Sequence, residues 1–544
     1  MTRVLAALAV CAAATLPYLS TIHHYFVQDD FGVVQLLASK PAGYFPRWFT
    51  TTWMDGIWGF VPDEIRPFPA VSYQIAAWWG AGSPVANHII NIAFHAANGL
   101  LVIAVARVAV GISLPAATFA AIAFVLLPIQ AESVAWITGR VDSMPAFFYV
   151  ASFVLYVSWR RTTSSSSSSR AWRYVASLVL CFVALFTKQN TITLGPALVL
   201  YDLIVERRRV RVSWAWMRPY VPFALLTIGY LWLRYHLFGE VARENTLNAQ
   251  NLTFFGSLVV RHLRRLFYGS VTAGSSVHAL VALITASIAG CAAVWLAAHR
   301  ARPEADDATG RRWRSLLYFG PAWLIFGIAP IVVANYESPR HMYLASLGWA
   351  IALGVAFEIL WHAEPRRVWR TITAIGAGAL LAGYTLQLRT AIDGWNTAAA
   401  VSRKATIDLE REARALPRGS LLIAGAPASS WEWSLPFAAQ PPFARVDVST
   451  HVRIVSPQRL ACCRFQWNDD TRHTLRSWLD DPSQPPLVAL YWDARTGALS
   501  RVTDRDEPFL RSLVPILLDT PTPDALDRTM LDMLARAVAG RSSR

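Results

Sequence analysis

The stretch ANHIINIAFHAANGLLVIAVA, residues 86–106, decides how this chain is read. About 20 residues without a charged side chain is the length of an α-helix that crosses a hydrocarbon core of about 30 Å. Within it His88, Asn91, His95 and Asn98 recur at offsets of 3, 4 and 3, so all four share one face. In lipid that face must meet other protein or a wet cavity. Interhelical hydrogen bonding accounts for it without catalysis, and a cavity or ligand role for His88 is the equal alternative. Metal binding has less support, because a histidine pair at i, i+7 lacks a third convergent ligand.

Working outward, the same criterion marks ten further spans, at 4–22, 113–131, 143–159, 173–187, 189–205, 219–237, 278–298, 315–334, 341–361 and 371–388. Composition agrees. Hydrophobic residues make up 54% of the chain, charged residues only 16%, and the mean hydropathy is +0.34; soluble domains carry about a quarter charged residues. The run from Val4 to Leu19 after Arg3 reads as a first span rather than a signal peptide, since the segment after it belongs with the active region. The net charge of +15 points to no nucleic-acid partner, because the arginines cluster between apolar runs instead of forming a soluble basic face. Cys11, Cys181 and Cys291 fall inside apolar runs, and the adjacent Cys462 and Cys463 lack metal-ligand spacing.

Lysine and arginine set the orientation. Alternate short connections hold Arg3, Arg107, Arg160, Arg161, Arg170 and Arg173, then the groups at 207–218, 300–314 and 366–370. That is nineteen basic residues, against eleven spread over the longer opposite loops. The bias places the N-terminus in the cytoplasm, and eleven crossings place the C-terminus outside. The expected class is therefore an α-helical polytopic membrane protein of about eleven helices, residues 1–388, with a first external loop over 23–85. Beyond Arg389 the composition turns polar and proline-rich. Short apolar runs at Leu421–Ala424, Val446–Val448 and Leu487–Tyr491 alternate there with helical patterns near Thr471–Leu479 and Asp524–Val538. This reads as a small soluble α/β domain over 389–544 on the periplasmic side.

Polar residues at membrane level are costly, so each is a functional candidate. Asp29 and Asp30 follow the first span in the setting Phe26-Val27-Gln28-Asp29-Asp30-Phe31. Adjacent carboxylates raise each other's proton affinity, and one held among apolar groups can take a proton from a hydroxyl nucleophile. A solvated turn or helix cap is the plainer account, which the flanking Phe and Val disfavour. Glu132, Arg140 and Asp142 lie where the third span exits and the fourth begins, as an ion pair or as the wall of a polar cavity. Lys188 and Arg340, the latter beside Glu337, sit at outer helix ends, and Arg261, His262, Arg264 and Arg265 lie on an amphipathic segment before the eighth span. Outer-face cations run against the charge bias, and phosphate binding accounts for them: arginine offers a forked donor set and lysine a point charge. For the 261–265 group the alternative is a surface helix resting on anionic headgroups, and whether 252–272 spans the bilayer or lies on it stays open.

Taken together these residues resemble the GT-C superfamily of integral-membrane glycosyltransferases. The membrane half is similar to bacterial relatives of the tetratricopeptide-repeat O-mannosyltransferases. The resemblance rests on Asp29-Asp30; on Arg66-Pro67 with His88, Asn91, His95 and Asn98; and on Pro128, Glu132, Trp136, Arg140 and Asp142. It also rests on Lys188 with Pro196, Tyr201 and Asp202, and on Glu337, Arg340, Tyr343, Ser346 and Gly348. It implies an acidic residue in the first external loop that acts as base or orients the acceptor, Asp29 ahead of Asp30. It further implies that Lys188, Arg340, Arg261 and Arg265 hold the donor phosphate, and that the donor is a polyprenyl- or dolichyl-phosphate sugar. Arg66, His88, Glu132, Arg140, Asp142 and Glu337 would shape the cavity and position the acceptor. No cofactor is required by this scheme, and no metal site is identified for a divalent ion. The expected partners are the lipid-linked sugar, membrane lipid and an acceptor (glycan, lipid or protein), in a bacterial inner membrane. Two departures stand out. Gln189 occupies a position often acidic in those relatives, and residues 389–544 lack a 34-residue helical repeat. A lipid or sugar transporter and a non-catalytic envelope assembly protein are the rival readings. Transporters carry internal repeats and helices broken near mid-bilayer, a symmetry this sequence does not show.

Overall fold

Long apolar runs fold as helices because lipid offers backbone groups no other partner, and the computed structural model of this chain is largely helical. It describes residues 2–38, 40–53, 64–80, 82–162, 167–209, 213–239, 241, 252–268, 307–334, 338–363, 365–427, 435–455 and 487–502, with scattered positions in 281–288, 473–481 and 515–538. The chain divides into two compact units. The first comprises Met1–Ile22, Ile65–Pro69 and His88–Gly394, the second His23–Glu64, Ala70–Asn87 and Trp395–Arg544.

Among the described residues, six helices are long and apolar enough to cross a membrane: Arg3–Thr21, Pro84–Val110, Arg140–Arg161, Gly310–Val333, Pro339–Trp361 and Arg366–Ala415. A broken pair, Leu114–Val125 and Pro128–Ala135, meets at 52° and makes a seventh if counted as one span. Helices Ser167–Leu185, Leu194–Ile204 and Val221–Phe238 cover three more of the expected runs. The expected run at 278–298 lies almost wholly outside the described residues.

Local chemistry fixes the breaks. Gly111, at φ +83°, ends the helical turn Val105–Val110, a left-handed position that costs glycine little. Ser113 then caps the next helix, its Oγ accepting from the Ala116 amide at 3.5 Å. At the bend before Pro128 the helical ladder is interrupted, and side chains supply donors to the carbonyls there. His95 Nε2 lies 3.0 Å from the Val125 carbonyl, and Gln130 Nε2 donates to that of Phe124 at 3.4 Å. Since a carbonyl only accepts, His95 carries its proton on Nε2, and Nδ1 accepts from the Tyr343 hydroxyl at 2.8 Å.

Helix contacts in this unit use small and polar residues, as expected where lipid removes the hydrophobic drive. Ser152 Oγ donates to the Ser177 carbonyl at 2.7 Å and Ser177 Oγ to that of Ser152 at 2.8 Å, tying helices Arg140–Arg161 and Ser167–Leu185 together. The faces turned outward are apolar: Leu225, Ile228 and Trp232 are each more than 60% exposed. In water such a surface would aggregate.

The second unit holds a four-stranded sheet in the order β2-β1-β3-β4, from β1 (Leu421–Gly425), β2 (Arg453–Val455), β3 (Leu487–Asp493) and β4 (Ala498–Arg501). β1 runs parallel to β2 and β3, while β4 is antiparallel to β3. All five residues of β1 are buried, which is how a central parallel strand reads. The run Val446–Val448, expected as a strand, instead leads into the 3-10 turn Val448–Thr450, and the neighbouring strand falls at Arg453–Val455. Asp447 causes the shift: its carboxylate accepts from the Ser449 amide at 3.0 Å and holds a local turn. The expected helices near 471–479 and 524–538 lie largely outside the described residues.

Candidate active site

In the first unit the sequence candidates gather where helices begin and end. A tight turn separates the bent pair from helix Arg140–Arg161, with Gly139 N bonded to the Trp136 carbonyl at 3.1 Å and Asp142 N to that of Gly139 at 3.0 Å. A Cβ on Gly139 would lie 2.9 Å from Ser133 Cα, so only glycine lets the new helix start against the backbone of the old one. This turn sets the Glu132 and Asp142 carboxylates toward the segment Ser338–His341. Asn91 secures it. Its amide nitrogen donates to the carbonyls of Val134, Trp136 and Ile137 at 3.3, 2.8 and 3.2 Å, and its Oδ1 accepts from Arg140 Nε at 2.7 Å. Asn98 holds the start of the same helix through the Ser143 carbonyl at 2.8 Å.

Asp142, whose side chain is 1% exposed, is the hub. Lys188 Nζ donates to its Oδ1, and Arg340 Nε lies 3.3 Å from its Oδ2. His341 Nδ1 lies 3.0 Å from Lys188 Nζ and 3.3 Å from Asp142 Oδ1. Arg340 Nη1 also reaches Glu132 Oε1 at 2.6 Å, and its guanidinium covers the Trp136 ring with 4.7 Å to the centroid. Glu132 is further held by Ser338 Oγ at 2.5 Å and by the Arg340 amide at 3.4 Å. Arg66 is buried and donates from Nη2 to Gln189 Oε1 at 3.4 Å, next in sequence to Lys188. Burial pushes the Lys188 ammonium down to about 8; Asp142 pulls it back up, while Arg66 and Arg340 push it down.

His88 is buried in the same unit. Arg261 and Arg265 are half-buried one turn apart on helix Leu252–Tyr268, which packs against helix Trp323–Val333 and the turn Pro339–Met342 that bears Arg340. Glu337, the expected neighbour of Arg340, lies outside the described residues; among the described ones Glu132 and Asp142 pair with Arg340. Sequence reasoning missed His341 and Ser338. Both flank Arg340 in the chain, and a charged residue at membrane level was the signal that could have drawn attention to its neighbours.

Asp29 and Asp30 belong to the second unit. Asp30 opens helix Asp30–Ala38 and is fully buried, its Oδ2 accepting from the Val27 amide at 3.1 Å. Asp29 is half-buried, and its backbone carbonyl accepts from Val33 at 2.9 Å. Gln28, just before the pair, holds φ +50°, a conformation a side chain of this kind adopts only under constraint. The constraint is visible: Tyr25 Oη donates to the Phe443 carbonyl at 3.1 Å, Ser402 Oγ donates to that of Phe26 at 2.6 Å, and the Phe26, Phe31 and Phe443 rings pack edge to face or tilted. Burial pushes the Tyr25 hydroxyl up to about 12.

No family model matches the chain. It is 26% identical over 218 residues to protein O-mannosyl-transferase Tmtc2 of Drosophila melanogaster, covering 37% of this chain and 22% of that protein. It is 24% identical over 375 residues to protein O-mannosyl-transferase TMTC4 of Mus musculus, covering 58% of this chain and 50% of that protein. The chain thus spans half or less of these curated relatives. Among solved structures it is similar to ArnT from Cupriavidus metallidurans bound to undecaprenyl phosphate, with a TM-score of 0.52, 16% identity and 91% and 94% of the two chains covered. The chain shares its fold with ArnT and is a multi-pass membrane protein. Its sequence similarity is to the TMTC O-mannosyltransferases.

Proposed function

We propose that this chain is a membrane glycosyltransferase that moves a sugar from a polyprenyl-phosphate donor to an acceptor hydroxyl on the periplasmic side of a bacterial inner membrane. The observation that carries this reading is the cluster around Asp142. Among the described residues three cationic side chains, Arg66, Lys188 and Arg340, gather with the carboxylates of Asp142 and Glu132 at the ends of helices. Two guanidiniums and an ammonium at that level suit a lipid phosphate whose tail stays in hydrocarbon. The names of the two curated relatives and the undecaprenyl phosphate bound to ArnT support the same chemistry.

In the reaction the bond from the sugar's anomeric carbon to the phosphate oxygen breaks and a bond to the acceptor oxygen forms. Asp29 takes the acceptor's proton; Asp30 suits this less, because its carboxylate already caps the local turn. Lys188 and Arg340, with Arg261 and Arg265, stabilise the charge growing on the departing polyprenyl phosphate. Glu132 and Asp142 hold the arginine and lysine in place, and Arg66, His88 and Arg140 complete the cavity. In this reading eleven helices cross the bilayer, the N-terminus is cytoplasmic, and residues 389–544 form a periplasmic soluble α/β domain.

The test is to incubate the purified chain with a panel of polyprenyl-phosphate sugars and a hydroxyl acceptor. One donor should be consumed with release of polyprenyl phosphate, and Asp29→Asn should stop turnover without stopping lipid binding. Binding without turnover for every donor and acceptor would return the chain to the transporter or scaffold class.

A further inference from the structure

The turn Pro339–Met342 sends two neighbouring side chains to one carboxylate. Arg340 Nε lies 3.3 Å from Asp142 Oδ2, and His341 Nδ1 lies 3.3 Å from Asp142 Oδ1. The imidazole thus meets the oxygen to which Lys188 donates, and the same Nδ1 is 3.0 Å from Lys188 Nζ. Nζ, Oδ1 and Nδ1 close a triangle whose side chains, Lys188, Asp142 and His341, are 2%, 1% and 4% exposed.

While Lys188 is charged, this triangle allows one proton arrangement. An ammonium only donates, and two nitrogens 3.0 Å apart share a proton. His341 Nδ1 is therefore the acceptor, its own proton lies on Nε2, and the imidazole is neutral. A protonated imidazole would set an N–H against the ammonium and add a further cation beside Arg66, Lys188 and Arg340. The edge from Nδ1 to Oδ1 carries no proton, and it is tolerated because the ammonium donates to both of its ends.

A neutral acceptor does here what the carboxylate does not do alone. Burial strips water from the ammonium, so each hydrogen bond it keeps counts for more than in solvent. Among the described residues the charged groups around Lys188 are Asp142, Arg66 and Arg340, with Glu132 on the far side of Arg340. Asp142 divides its charge between Lys188 and Arg340, and the two arginines repel the ammonium. His341 gives Lys188 an acceptor without adding charge to the site. It reaches in from the same turn as Arg340, so the two cations stay on opposite oxygens of one carboxylate.

We propose that His341 is a positioning residue for Lys188: its neutral imidazole accepts from the ammonium through Nδ1 and keeps it charged and in place beside Asp142, a role that rests on Lys188 being a contact of the donor phosphate. Removing this acceptor destabilises the charged form, so Lys188 should then lose its proton at lower pH.

The chain has three lysines, Lys40, Lys188 and Lys404, so each can be followed directly. The full chain, isotope-labelled at lysine Cε, is titrated in detergent by NMR, with Lys188→Arg removing and so assigning one signal. His341→Leu should lower the midpoint of the Lys188 signal by about one pH unit, the size of one lost hydrogen bond to a charged group. His341→Asn sets an amide oxygen near the Nδ1 position and should restore the wild-type midpoint. His341→Gln sets its amide nearer Nε2, should follow His341→Leu, and replaces it if the leucine variant does not fold. The pH dependence of polyprenyl phosphate binding should move with the signal, and in Lys188→Arg the leucine change should leave it unmoved. A histidine that only supports the fold would lower the melting temperature and leave the midpoint in place. An unchanged midpoint in His341→Leu and His341→Gln overturns the proposal, as does a His341→Asn midpoint that follows theirs. The titration needs no turnover: if no sugar donor is consumed, the phosphate role of Lys188 fails, while the midpoints still decide what His341 does to Lys188.

Discussion

Arg340→Lys separates a phosphate contact from a structural one, and the geometry sets the size of each effect. Arg340 makes a 2.6 Å contact to Glu132, a 3.3 Å contact to Asp142 and a stacking contact over Trp136 at 4.7 Å. Lysine can keep the first as a point charge but not the forked set or the stacking. The Arg340 side chain is 23% exposed, so the internal losses are partly screened and the stability cost should be about 1 kcal/mol. A forked contact to the donor phosphate is a charge-assisted bond of about 1.5–3 kcal/mol, or about 10- to 150-fold in donor use. Arg340→Lys should therefore lower kcat/KM for the lipid donor at least tenfold while moving the melting temperature by only a few degrees. Glu132→Gln is the control: it removes the partner and leaves the arginine, so its effect should fall on stability. Donor kinetics and melting temperature measured on both variants decide the matter. Equal melting losses with unchanged donor kinetics would refute the phosphate role of Arg340.

Asp29→Asn should reduce turnover at least ~100-fold, the scale of a lost general base, with little change in melting; Asp30→Asn should instead cost ~1 kcal/mol of stability through the lost contact to the Val27 amide, read by thermal denaturation. Wild-type turnover in Asp29→Asn would remove the base from the scheme. Burial, with Arg66 and Arg340 nearby, pushes the Lys188 ammonium down to about 8 against the pull of Asp142, so the side chain loses charge as pH rises through that range; donor affinity should fall there, and Lys188→Arg should not show that step. Gly139→Ala should destabilise by ~1–3 kcal/mol through overpacking against Ser133, visible as a lower melting temperature and reduced yield of folded protein.

Much of the membrane unit was legible because its signals are local. Run length and the spacing of His88, Asn91, His95 and Asn98 are properties of one helix, and the structure gives the last three of them backbone and side-chain partners on neighbouring segments. The identity of those partners was not legible. Asp142 meets His341 across 199 positions and Arg340 meets Glu132 across 208, and no local pattern pairs residues so far apart. Glu337, close to Arg340 in the chain, lies outside the described residues. The strand at Arg453–Val455 was missed because Asp447 turned the apolar run before it into a loop, a side-chain effect that hydrophobic alternation cannot register.

The interrupted helix before Pro128 bears on how the chain is made. A broken span entering lipid would expose the carbonyl of Val125 with no water to satisfy it. His95, which answers Val125, emerges from the ribosome some thirty residues earlier, and Gln130, which answers Phe124, comes within a handful. The donors thus arrive with the break they must seal, so the second and third spans have reason to leave the insertion machinery as a pair. Replacing His95 would then burden biogenesis before it touched any catalytic step.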